Sequence, residues 1–308
     1  MMRVLVTGAS GLLGVNLSLV LAQQDYQVVG WVNSNPLPNA PFLVETIDLT
    51  DLAEIERRIM TVKPDLIIHC AALANLDLTE ANPELAYLIN TDVTEQIAKI
   101  AALERIQLVH ISTDAVFDGV KGGYSETDLP NPVSVYAKSK LAAERVIQAF
   151  YPEAIIARVN FYGWSLSGKR SLAEFFYNNL SAGRQMNGFT DVLFCPLYVE
   201  DLSKLLIDMA AKHLAGLYHV VSAERISKYD FGVAIARKFG FDENLIKPVS
   251  VQQSGLTAAR SLNLNLNTDK LSHNLGLCLP GIDEGLDAFY AAHQAGLPGK
   301  LMGFLIAN

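Results

Sequence analysis

The chain has 308 residues, half of them apolar and 18% charged, and its 24 basic and 32 acidic side chains give a formal charge of −8. That length suits one large core or two modest ones, and an acidic chain with no basic run is a poor match for a nucleic-acid backbone or an anionic membrane. Three widely spaced cysteines, Cys70, Cys195 and Cys278, with no Cys-x-x-Cys pair, speak against a disulfide framework or a cysteine zinc site and fit a reducing compartment.

In chain order, Arg3 to Val6 reads as a buried strand closed by Gly8, and Leu12 to Ala22 has a helical period. Gln27 to Val32 is the second strand, Leu52 to Val62 a helix, and Leu66 to Cys70 a further strand. A long helix is expected from Leu85 to Leu103, then the strand Leu108 to Ser112, the helix Tyr136 to Ala149 and the strand Ala154 to Val159. Past Asn160 the pattern loosens into helices at Glu174 to Gly183, Asp201 to Leu214, Tyr229 to Phe239 and Asp283 to Gln294, with a late strand at Leu217 to Val221. Strands alternating with helices of this length imply an α/β fold, a parallel sheet covered on both faces. The opening MMRVLVTGAS lacks the order of a signal peptide, and the apolar stretches are too short to cross a bilayer, so a soluble cytoplasmic protein is expected.

The first turn reads Thr7-Gly8-Ala9-Ser10-Gly11-Leu12-Leu13-Gly14. Glycines at Gly8, Gly11 and Gly14, between a strand and a helix, permit a tight turn, backbone approach to a pyrophosphate and close helix–strand packing. The helix N-terminus then offers free N–H groups to phosphate. A strand-to-helix turn alone is the plainer reading; the position right after the first strand favours dinucleotide binding. The second strand ends at Asn33, with no acidic residue between Asp25 and Glu45 and no Lys or Arg between Arg3 and Arg57. The usual ribose carboxylate of an NAD site is thus missing, as is the usual Arg for a 2′-phosphate. NADP is the expected cofactor, with NAD the alternative. Asp48 faces the adenine or caps a helix.

Tyr136 and Lys140 share one helix face, where an ammonium lowers the phenol's pKa and lets it donate a proton near neutral pH. Lys138 falls on another face. Ser112, Thr113 and Asp114 end a strand at the carboxyl edge of the sheet, where open α/β sheets bind ligands.

The stretches TGASGLLG, HCAALAN, AALANLDLTEANPELAYLIN, STDAVFDG, NPVSVYAKSKLAAE, CPLYVEDLSKLL and GLYHVVSAERISKYDFGVAIA together resemble the extended short-chain dehydrogenase/reductase family, most closely its dTDP-4-dehydrorhamnose reductase branch, over nearly the whole chain. The resemblance implies a Rossmann-type doubly wound sheet with a smaller C-terminal substrate-binding part: residues 1–160 with 195–222 returning to the sheet, against 161–194 and 223–308. It implies Thr113, Tyr136 and Lys140 as the catalytic set. Cofactor contacts would come from Gly8, Ser10, Gly11, Leu12, Leu13, Gly14, Asn33, Asp48, Leu49, Ala71, Ala72, Tyr136 and Lys140, and substrate contacts from Ser112, Asp114, Asn160 and Arg260. No metal is implied, and the likeness points to a homodimer acting on a nucleotide sugar. Ala115 stands where this branch usually has Tyr, Ala74 where it often has Thr, and RVNFYG looks more like the epimerase and dehydratase branches, so the sugar is open.

The leading expectation is reduction of a keto group on a nucleotide-linked sugar: Tyr136 the proton donor, Thr113 holding the carbonyl oxygen, Lys140 lowering the tyrosine pKa and binding ribose. The alternatives are an NAD-dependent epimerase or dehydratase and a non-catalytic dinucleotide-binding subunit, of which the branch has a methionine adenosyltransferase relative. Ala115 cannot transfer a proton, which argues against dehydration. Asn90 joins a proton relay or satisfies helix backbone; Asp77 and Glu80 read as a solvated helix face; His69 and His110 read as core histidines. The apolar end LMGFLIAN docks on the body or on a partner.

Overall fold

A computed structural model describes residues 1–253 and 261–306. One parallel sheet is built from β1 (Arg3–Thr7), β2 (Gln27–Val32), β3 (Leu43–Thr46), β4 (Leu66–His69), β5 (Gln107–Thr113), β6 (Ile155–Val159) and a last strand, Gly216–Val220. The spatial order is Gly216–Val220, β6, β5, β4, β1, β2, β3. Every neighbouring pair is parallel. The chain winds outward from β1 to β3, returns beside β1 as β4, and winds the other way, so the order reverses between β1 and β4.

The helices between the strands are α1 (Leu12–Gln23), α2 (Leu52–Val62), α3 (Leu76–Ala81), α4 (Pro83–Tyr87), α5 (Val93–Glu104) and α6 (Val135–Phe150), followed by α7 (Leu172–Ser181), α8 (Val199–Ala211) and α9 (Lys228–Phe239). Alternation along β1 divides the interior: Val4 and Val6 enter the core under α1 and α8, whereas Leu5 joins Ile55, Ile59, Ile97 and Ile147 under α2, α5 and α6. With sheet on one side and α8 on the other, α1 has almost no polar face, and its run Leu13 to Leu21 is buried throughout. The doubly wound parallel α/β reading of the sequence therefore holds.

Two departures from the sequence expectation lie in the sheet half of the chain. β3 was not anticipated: it is a four-residue, half-exposed edge strand containing Glu45, too short to show a period. The long helix expected from Leu85 to Leu103 is α4, a π-helical turn at Leu88–Asp92, and α5. The wide turn carries Asn90 inward, where its Oδ1 accepts from the Leu73 N–H at 2.7 Å and its Nδ2 donates to Leu73 O and to Ser139 Oγ. Asn90 thus satisfies the Leu73 backbone and the Ser139 hydroxyl.

The later chain adds α10 (Asp269–Leu275), α11 (Ile282–Gln294) and α12 (Leu297–Gly303). Strand Met186–Phe189 pairs with Ile246–Val249, and Leu193–Phe194 lies between Ile226–Ser227 and Asn263–Leu264. Trp164 stacks on Phe289, 4.2 Å between ring centroids, fixing α11 to this part. The apolar end docks on the body: Leu301 and Phe304 are buried, and Asn39 Nδ2 donates to Ile306 O at 2.6 Å. Among the described residues no helix is long and apolar enough to cross a membrane.

Candidate active site

The reversal between β1 and β4 opens a crevice at the carboxyl ends of the strands, the expected ligand position in a doubly wound sheet. Gly8, at φ +66°, starts the turn out of β1; a Cβ there would meet Ala71 Cα at 2.8 Å. A Cβ on Gly14 would overlap the carbonyl oxygen of Gly8, so α1 seats against the turn only with glycine there. Gly11 is the N-cap of the twelve-residue α1, with no side-chain cap and no acid in the first turn, which leaves its N–H groups turned to the crevice.

Two contiguous clefts meet over this turn. One, of about 380 Å³, runs toward β5 and is walled by Leu12, Leu13, Gly14, Thr113, Asp114, Tyr136, Lys140 and Asn160. The other, of about 370 Å³, runs toward β2 and holds Ser10, Asn33, Asp48, Leu49 and Ala71. Gly8, Gly11, Cys70, Ala72 and Arg170 line both. A floor of glycine and N–H groups joining an adenosine-sized and a nicotinamide-sized space fits a dinucleotide. Asp48 is not a helix cap: its Oδ1 accepts from Thr50 N and Oγ1, which hold its carboxyl below the usual range, while Asp51 caps α2.

The β5 cleft is set by α6. Ser134 caps the helix and Glu80 accepts from the Val135 N–H at 2.8 Å, fixing its first turn. Tyr136, Lys140 and Glu144 then follow at every fourth position on the sheet-facing side, while Lys138 is exposed. Lys140 is buried and donates to His110 Nε2 at 3.0 Å. Burial lowers its pKa to about 8, the carboxylate of Glu144 opposing the shift. Burial lifts the Tyr136 phenol to about 12, against the hydrogen bond with Thr113 and with help from the charge of Asp114. The expectation that Lys140 lowers the tyrosine pKa is not met: its ammonium is turned to His110, and the phenol responds to its own desolvation.

Thr113 ends β5 with its hydroxyl 3.2 Å from Asp114 Oδ1, accepting from the Ala115 N–H. Asp114 is buried and accepts from Asn160 Nδ2 at 2.6 Å; burial raises its carboxyl to about 6. Ser112 lines the same cleft. Its hydroxyl donates at 2.5 Å to Glu144 Oε1, and Arg158 grips both oxygens of the same carboxylate. Arg260 lies outside the described residues.

Register puts Thr7, His69 and His110 side by side on β1, β4 and β5. Thr94 Oγ1 donates to Asn90 O, so it accepts from His69 Nε2; Thr7 Oγ1 accepts from the Ala71 N–H, so it donates to His69 Nδ1. His69 is thus a neutral core imidazole whose pKa burial lowers to about 3. Arg170 lines both clefts and was not among the residues expected from the sequence, where the pair Lys169-Arg170 ahead of the Ser171 cap gave no signal for it.

A model described as the RmlD substrate binding domain matches residues 2–295. A probable low-salt glycan biosynthesis reductase Agl14 of Haloferax volcanii is 31% identical, over 94% of this chain and 98% of its own. Methionine adenosyltransferase 2 subunit beta of Xenopus laevis is 30% identical, over 87% of this chain and 81% of its own. The crystal structure of dTDP-4-dehydrorhamnose reductase from Bacillus anthracis in complex with NADP superposes with a TM-score of 0.84 at 28% identity, covering 94% of this chain and 99% of that one.

Proposed function

The chain belongs to the RmlD substrate binding domain family, and from that premise we propose that it reduces a keto group on a nucleotide-linked sugar with NADPH, NADH being the alternative donor. The observation that carries this is the meeting of Thr113, Tyr136 and Lys140 on one wall of a cleft that continues over the glycine turn. Gly8, Gly11 and the N-terminus of α1 would hold the dinucleotide, which supplies hydride when bound. Tyr136, whose phenol stays protonated far above neutral pH, gives the proton to the developing alkoxide. Thr113 holds the oxygen that receives it. Lys140, charged below about pH 8, binds the ribose hydroxyls. Asp114 and Asn160, hydrogen-bonded to each other at the far side, orient the sugar. Ala115 brings no acid or base to that wall, which speaks for reduction over dehydration.

Tyr136→Phe is expected to lose about 100-fold or more in turnover, while binding NADPH like the wild type in a thermal-shift titration. Wild-type turnover in that variant overturns the assignment of Tyr136. A wild-type protein that binds cofactor and nucleotide sugars without turnover is a binding subunit instead.

A further inference from the structure

The two clefts share very little side-chain charge. Arg170 lines both, and the β2 cleft holds no other basic residue. Its backbone is pinned. The N–H groups of Ser165, Arg170 and Ser171 all donate to the buried carboxylate of Glu174, as does Ser165 Oγ. The same Glu174 completes the capping box of α7, so the segment from Ser165 to Ser171 is knotted around one acid. The side chain is the opposite case: Arg170 is exposed, and among the described residues its guanidinium makes no hydrogen bond or ion pair. A rigid base therefore holds an uncommitted fork over the seam between the clefts.

What crosses that seam decides what the fork meets. A dinucleotide reaching from Asn33 to Tyr136 has its adenosine in one cleft and its nicotinamide in the other, and the group passing over Gly8 and Gly11 is the diphosphate. A 2′-phosphate would lie at the Asn33 end, in the β2 cleft alone. A sugar nucleotide held at Asp114 and Asn160 would occupy the β5 cleft alone. We infer that Arg170 clamps the cofactor diphosphate from above, opposite the uncapped N-terminus of α1, so that the two phosphates sit between a guanidinium fork and a row of N–H groups. This puts a cation over the seam, in a chain whose net charge repels its ligands. The assignment rests on the dinucleotide reading of the clefts.

The test is calorimetric titration of wild type, Arg170→Ala and Arg170→Lys with NADPH, NADH, ADP, adenosine and a dTDP-sugar. Arg170→Ala is expected to weaken NADPH, NADH and ADP by one common factor of about ten or more. Adenosine and dTDP-sugar affinities should stay unchanged, and Arg170→Lys should recover part of the loss. Circular dichroism checks that the variants remain folded, as an exposed side chain predicts. A loss confined to NADPH moves the contact to the 2′-phosphate and overturns the assignment, as does a loss confined to the dTDP-sugar. Unchanged binding of all five, with wild type binding the cofactors normally, overturns it alone. Wild type that binds neither cofactor overturns the reading of the clefts and this assignment with it.

Discussion

At the scale of single residues, burial works against the charged forms in the site, and a few fixed partners oppose it. Asp114 is the clearest case. Its carboxyl is raised from an ordinary 3.8 to about 6 by burial, so between those values the folded chain binds a proton that the unfolded chain does not. The sign follows: the favourable contribution of Asp114 is fully present below about pH 4 and is lost as pH rises through about 6, where an ionised carboxylate must be kept from water. Asp114→Asn preserves an acceptor for Asn160 and has no charge to desolvate. It is expected to gain up to about 2–3 kcal/mol relative to the wild type at pH 8 and little at pH 4, read by urea denaturation at each pH. An equal change at both pH values would show that the ionised form carries no such cost. Tyr136 and Lys140 were both legible as a pair, because helical spacing alone sets a shared face. The direction of the tyrosine shift was not, since it depends on how deeply the phenol sits and on where the ammonium points, and Lys140 points to His110.

At the scale of elements, three segments distant in sequence are tied by one ion pair. Arg158 on β6 grips Glu144 on α6 through two hydrogen bonds, at 2.9 and 2.7 Å, and Ser112 on β5 donates to the same carboxylate. Both charged side chains are 2% exposed, so neither tolerates loss of the other. Arg158→Met alone is expected to cost about 3–5 kcal/mol in denaturant unfolding, and pairing it with Glu144→Leu to recover most of that. A neutral single substitution would mean that water or a neighbour such as His219, at 3.5 Å from the guanidinium, takes over the charge. This device holds the strand end that presents Thr113, yet the sequence shows only an Arg in one apolar strand and a Glu in a helix. Local pattern recovers elements with a continuous apolar run, such as β2, or a periodic buried face, such as α2, both predicted with the bounds they have. It misses β3, a half-exposed edge strand, and the π turn, which exists to aim Asn90 and leaves no period of its own.

At the scale of the whole molecule, the fold turns an acidic chain into an anion site by concentrating backbone N–H groups where the sheet order reverses. The strand–turn–helix at the start and the Ser-Thr and Tyr-Lys segments were legible because each is local. Their convergence on two joined clefts follows from β1, β4 and β5 being neighbours, a property of the winding order. Arg170 lies beyond such reading for the same reason: only the fold brings residue 170 over residue 8. The central claim is that hydride passes from cofactor to a sugar carbonyl in the β5 cleft. Its most direct measurement is a single turnover with NADPH deuterated at the nicotinamide C4 and a dTDP-4-keto sugar, with the product read by mass spectrometry and NMR. Deuterium at the former carbonyl carbon, in one configuration and lost in Tyr136→Phe, is the expected result. Undeuterated product, or sugar returned unreduced while the cofactor is bound, would contradict it.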